Sequence, residues 1–475
     1  MQSNGIYCVM KKFLLVLCFL TLWQWSFASL PPADRKRSYP GGKCYLVRVQ
    51  LRDKCGTPFT LDHPEAFLSS RSLSRRRKQL LKVDSTDLPV SPLYLDTLRS
   101  QGVAVVCTSK WNNTVLVRTR NPQMVERLAS MEMVSSARLV FESPDSVGRP
   151  MRAAFHTEFN RWDTIAHDPY GITAAQIEAM KGIQLHRSGR RGRGMMIAVF
   201  DGGFMNVDKI PALRRAKIVG TRDFVMPCTA DVYALTEHGT MVFSAMAADA
   251  PDAYVGTAPD AQYLLCRTED TETESLAEED YWVAAAEYAD SMGVDVINSS
   301  LGYHYFDDKR MNYSYADLDG LHSHASRTAS MLAGKGIVLV NSAGNDGMGA
   351  WKKINVPADA QDILTVGSVT PRGMNAPFSS IGPTADGRVK PDVMATGSPT
   401  AVISGRGTIV NQTGTSFSTP LVCGLVACLW QALPGKTACE IIDLVRRSGN
   451  QYNTPDNIYG YGVPDFGKAM QIGNR

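Results

Sequence analysis

The chain has 475 residues, enough for two or three domains or for one large domain with appendages. With 44% apolar and 20% charged residues, it has ample core material and too little charge for a disordered chain. A net charge of +4 argues against a polyanion binder, and ten cysteines with no C-x-x-C pair exclude a small disulfide scaffold and a zinc ribbon.

The net charge hides a division. Residues 1–170 hold 24 basic and 14 acidic side chains, net +10, whereas residues 171–475 hold 26 and 32, net −6. Such asymmetry predicts two parts with complementary fields.

At the N-terminus, Lys11 and Lys12 precede the apolar run Phe13 to Trp25 and the small residues around Ala28 and Ser29. This is the pattern of a cleaved signal peptide over 1–29, and it predicts export to the periplasm or the exterior. The apolar run is well short of the roughly 20 residues that span a bilayer, so no stable membrane anchor is expected.

Residues 30–142 read as strand, basic loop, strand, strand, helix, strand: Cys44 to Leu51, Val103 to Thr108, Thr114 to Arg118, Pro122 to Met131 and Val134 to Phe141. That is a small α+β domain. Arg75-Arg76-Arg77-Lys78 reads as a solvated face, and Cys44 with Cys55 as the disulfide to expect in an exported chain. Residues 143–170 have no period and read as a linker or processing region.

From 171 to 475 the pattern becomes α/β. Short apolar strands (Met195 to Phe200, Ala261 to Cys266, Val294 to Ile297, Gly336 to Val340, Ile363 to Val366) alternate with helical stretches such as Glu279 to Met292 and Ser326 to Ala333. This predicts a parallel sheet with helices on both faces and function beyond the strands' carboxyl ends.

Three segments carry chemistry. Asp201-Gly202-Gly203 ends a buried strand, Glu237-His238-Gly239-Thr240 opens an apolar helix, and Gly414-Thr415-Ser416-Phe417-Ser418 leads into the helix Leu421 to Leu433. Each alone has a plain reading as a turn, a polar helix end or an N-cap. Together they supply a nucleophile, a base and a carboxylate to orient the base, in the order Asp, His, Ser.

With Asn341-Ser342-Ala343-Gly344-Asn345, Ser300-Leu301-Gly302 and Lys390-Pro391-Asp392, the region resembles the subtilisin family of serine proteases. The resemblance implies Asp201, His238 and Ser416 as the triad and Asn345 as the oxyanion donor. It also implies Ser300, Leu301, Gly302, Ser342 and Gly344 as the walls that hold an extended peptide.

Asp-Gly-Gly and Met241 depart from common family residues without removing a catalytic group. Pro420 reads as tolerated in the first helical turn. The resemblance further implies that the 30–142 domain is a propeptide, an intramolecular inhibitor; the opposite net charges of the two parts predict that it docks on the acidic catalytic part near Glu269 to Asp280.

No cofactor is required by this chemistry. The family often binds calcium, and Asp249 and Asp252 lie in a loop without defensible ligand spacing. Protein or peptide substrates are expected and nucleic acid is not. The rival readings are a silent fold of the same family acting as a binding protein, and an esterase using the same triad.

Overall fold

The computed structural model describes residues 37–40, 42–147, 168–226 and 231–475. The expected signal peptide, most of the linker and Cys228 lie outside them. Arg37–Ser38 pairs antiparallel with Ser146–Val147 in a small unit of its own. Residues 44–142 and the chain from 168 onward belong to a second compact unit.

Within residues 44–142, four antiparallel strands lie in the order β2-β3-β1-β4: β1 Tyr45–Leu51, β2 Ala104–Ser109, β3 Thr114–Thr119 and β4 Val134–Glu142. Alternation along β1 turns Val47, Val49 and Leu51 into a core with Val115, Val117, Leu98 and Leu128. It turns Arg48 to the opposite face.

The stretch expected to be a basic loop is instead helical. Helix α1, Ser70–Lys78, is capped by Ser69, whose side chain accepts from Ser72 N. Helices α2 (Pro92–Ser100) and α3 (Met124–Ala129) follow.

The larger layer is a seven-stranded parallel sheet in the order β11-β10-β9-β8-β5-β7-β6. Its strands are β5 Met196–Asp201, β6 Lys217–Asp223, β7 Gln262–Arg267, β8 Val296–Ser299, β9 Val338–Ser342, β10 Leu364–Val369 and β11 Val393–Thr396. The central ones are buried end to end because helices cover both faces. Helices α4 (His238–Ala247) and α7 (Thr415–Ala432) pack on one face, and α5 (Ala277–Met292) and α6 (His324–Met331) on the other. Chain order reverses across β5 and β8, so a crevice opens beyond their carboxyl ends.

The small sheet and α1 dock on α5 through ion pairs. Arg48 grips Asp280 at 2.6 Å, Arg75 and Arg76 reach Asp290 at 2.5 and 3.0 Å, and Lys110 stands 3.2 Å from it. Arg71 reaches Asp295 at 2.5 Å, and Glu287 accepts from Ser109 and from the backbone of Lys110 and Trp111. Asp280 falls in the stretch expected to receive the propeptide, as does Leu276, whose carbonyl accepts from Arg48 Nη2 at 2.9 Å, and the contact runs on along one face of α5. Arg75 and Arg76, expected to be solvated, are 5% and 1% exposed because their partners lie on a distant helix.

Two further expectations need correction. Cys44 and Cys55 form no disulfide: Cys55 is an exposed thiol, while Cys44 is buried with its Sγ accepting from Arg118. Pro420 is the sixth residue of α7, past the first turn, and its ring removes the N–H that would have bonded Ser416 O. That carbonyl instead accepts from Ser300 Oγ at 2.9 Å. Cys423 and Cys428 are buried in the core, as their apolar helix implies.

Candidate active site

The crevice is built from strand ends and two helix starts. Asp201, the last residue of β5, is 3% exposed and accepts from Gly202 N at 2.8 Å. Its carboxylate meets His238 Nδ1, with 3.0 Å to Oδ1 and 2.8 Å to Oδ2. Since a carboxylate only accepts, Nδ1 is the protonated nitrogen, which leaves Nε2 of the neutral ring as the one with a free lone pair. The approach depends on Gly239: a Cβ there would lie 2.3 Å from Gly203 O and 2.9 Å from the Asp201 side chain.

Ser416 is the second residue of α7, and its backbone N–H is one of the donors a helix start leaves open. Its hydroxyl donates to Ser300 O at 3.2 Å, and among the described residues no hydrogen bond joins it to His238.

Asn345 Oδ1 accepts from Thr415 N at 2.9 Å and from Thr415 Oγ1 at 3.1 Å. A backbone N–H must meet an oxygen, so the amide orientation is fixed and Nδ2 is left as the donor beside Ser416.

The cleft shared by Asp201, His238, Ser416 and Asn345 is also lined by Ser300, Leu301, Gly302, Ser342 and Gly344. Asn341 Nδ2 and Ser342 Oγ both donate to Leu301 O, at 3.3 and 3.2 Å, and tie the two walls together. All nine residues singled out from sequence therefore meet at one place. Sequence reasoning missed His304 and Asn355, which line the same cleft. No motif surrounds them, and only the fold brings them there.

Burial by itself would lower the His238 pKa, but the adjoining Asp201 charge and hydrogen bond override it, and the pKa is raised above 6.5. In the loop considered for calcium, Asp249 accepts from Arg191 at 2.9 Å and stands 3.5 Å from Arg215. Among the described residues no three carboxylate, imidazole or thiol groups converge as a metal would need.

Comparison with known proteins decides the family. Residues 192–462 match the subtilase family, peptidase S8. The chain belongs to the subtilase family. Residues 46–154 of this subtilase match the peptidase S8 propeptide domain of Bacteroidota.

The subtilase is 28% identical to Subtilisin NAT of Bacillus subtilis subsp. natto over 316 residues, 65% of this chain and 74% of that one. It is 27% identical to Serine protease AprX of Bacillus subtilis (strain 168) over 318 residues, 60% of this chain and 69% of that one. Among solved structures, the MycP3 protease from the type VII (ESX-3) secretion system aligns with a TM-score of 0.51 at 21% identity, covering 62% of this chain and 88% of that one. At that identity the likeness shows the fold. The subtilase is a subtilisin-like serine peptidase, a hydrolase, with a propeptide domain ahead of it.

Proposed function

We propose that the chain is an exported endopeptidase precursor in which Ser416 attacks the scissile carbonyl and His238 accepts its proton. The 2.8 Å pairing of His238 with buried Asp201, in the cleft that holds Ser416 and Asn345, carries this reading. Engagement requires the Ser416 hydroxyl to turn from Ser300 O to Nε2, a contact that apo sites commonly leave unmade.

The bond from Oγ to carbon forms as His238 takes the proton. His238 then returns it to the leaving amine as the C–N bond breaks, and water activated by the same imidazole releases the acyl group. Asp201 holds the tautomer and stabilises the imidazolium. The oxyanion sits between Asn345 Nδ2 and the Ser416 N–H.

Two expected results test these roles. Asn345→Ala lowers kcat by about 10² to 10³, a magnitude known from subtilisin, a relative of this chain, for loss of one oxyanion donor. An unchanged kcat removes Asn345 from the oxyanion site.

Because the neutral imidazole is the base, activity falls as pH drops through the His238 pKa, so the acid limb of kcat/KM lies above 6.5. Asp201→Asn removes the charge that raises this pKa and moves the limb down. A limb at or below 6.5 in the unaltered enzyme contradicts the assignment.

In the precursor, the domain over residues 44–142 acts as inhibitor until removed, and N-terminal sequencing of the mature protein locates its release. Complementary charge across the α1 to α5 contact supports this arrangement.

A further inference from the structure

Along α5, cations of the propeptide domain meet carboxylates of the catalytic part, Arg48 on Asp280 and Arg75 on Asp290. The matching stops where α1 meets the residues that lead into β5 and β8. There the two parts leave a cavity of about 490 Å³ between them.

Five cations line this cavity: Arg71, Arg75 and Lys78, spaced along one face of α1, and Arg193 and Lys436 from the catalytic part. Among the described residues, Asp295 is the one carboxylate in its lining. Asp295 is already held by Arg71 at 2.5 Å and by Met196 N at 2.9 Å, and Arg75 is taken up by Asp290 at 2.5 Å. Lys78 is thus left facing Arg193 and Lys436.

These three have little to balance them. Among the described residues Lys78 forms no ion pair. Arg193 stands 3.7 Å from Asp260 and Lys436 3.2 Å from Glu440, both pairs in contact with solvent, where such pairs are worth little. Like charge across a docking surface opposes docking. It is out of character here, because residues 171–475 carry a net −6 and the rest of the contact pairs opposite charges.

The walls that carry the cations are fixed by hydrogen bonds of their own. Trp430 Nε1 donates to Lys436 O at 2.9 Å, and Arg71 Nη2 donates to Gly194 O at 2.9 Å, beside Arg193. The cavity lies at the amino ends of the strands. Asp201 is at the other end of β5, about 20 Å away over six residues, so the cavity is separate from the active-site crevice.

We propose that this cavity binds a small polyphosphate anion, which bridges the propeptide domain and the catalytic part in the precursor. Oxygens spread over two or more phosphate groups let one ligand meet Lys78, Arg193 and Lys436 together. Since both parts supply the cations, the site is complete only while they are docked. The anion therefore tightens docking, and docking tightens the hold on the anion by the same factor.

Calorimetric titration of pyrophosphate into the full chain carrying Ser416→Ala, confirmed intact by mass and held at constant ionic strength with potassium chloride, tests this. Expected is one site per chain with Kd below about 1 mM. Lys78→Ala and Arg193→Ala each weaken it about 5- to 10-fold, the range between an exposed and a charge-assisted contact. Lys78→Arg keeps it, as does Lys82→Ala, which alters an exposed residue outside the cavity. The mature protein, without the propeptide domain, binds at least about 10-fold more weakly. No binding at millimolar pyrophosphate, equal affinity in the mature protein, or a Kd unmoved in Lys78→Ala overturns the proposal. The titration involves no turnover, so its outcome is independent of the peptidase reading.

Discussion

Replacing Ser416 by alanine abolishes peptide hydrolysis, with kcat lower by on the order of 10⁶, the size of the loss known for the corresponding change in subtilisin. The effect is large because the attacking group and the base act as a unit. Without the hydroxyl, the His238–Asp201 pair has no proton to take, and only binding and the oxyanion donors remain. If maturation is self-cleavage, this variant accumulates as a precursor that still carries residues 30–170. A Ser416→Ala protein that keeps a tenth of the activity would mean that another nucleophile does the chemistry. A variant that keeps its propeptide in this way is also a stable background for measuring the domain contact.

Asp290→Ala, made in that background, destabilises the precursor by about 3–5 kcal/mol, the usual cost of breaking a buried ion pair from one side. Asp290 is fully buried among Arg75, Arg76 and Lys110. Burial alone would raise its pKa, but Lys110, Arg75 and Arg76 hold it below 3.8. Deleting the carboxylate leaves two buried guanidiniums and an ammonium without their shared partner: Asp87 still pairs with Arg76 at 2.8 Å, and Asp295 and Glu287 still act on Arg75 and Lys110 through their charge.

The contact therefore weakens at neutral pH in the variant. In the unaltered precursor, its contribution is present above the ordinary carboxylate range and lost as acid titrates Asp290 through its depressed pKa. Urea unfolding with probes in both parts measures the change. Arg99→Ala, which removes an exposed pair with Asp96, is the control and shifts stability by under about 0.5 kcal/mol. Equal midpoints for Asp290→Ala and its parent would mean that the ion pairs do not hold the propeptide domain in place.

The site was legible in the sequence because each of its parts is short and local. A strand running Met196–Asp201 into two glycines, a His followed by Gly239, and a Ser at a helix start each carry their own geometry. The parallel sheet followed from the same strands, whose continuous apolar runs reflect burial on both faces.

Helix α1 was missed because its inward positions are Ser72, Arg75 and Arg76, so a hydrophobic period never forms. Whether an arginine there is solvated or buried depends on Asp290, more than 200 residues away. Pro420 was misplaced for a similar reason: the helix starts at Thr415, and the carbonyl freed by the proline finds Ser300 from another strand end. Asn355 and His304 belong to no motif and enter the cleft only through the folding of the chain.

Active-site labelling with a peptidyl phosphonate, followed by mass-spectrometric mapping of the modified peptide, tests the central claim most directly. The account predicts a single adduct on Ser416, formed in the mature protein and absent from Ser416→Ala. An adduct elsewhere, or none while peptides are still cut, would contradict it.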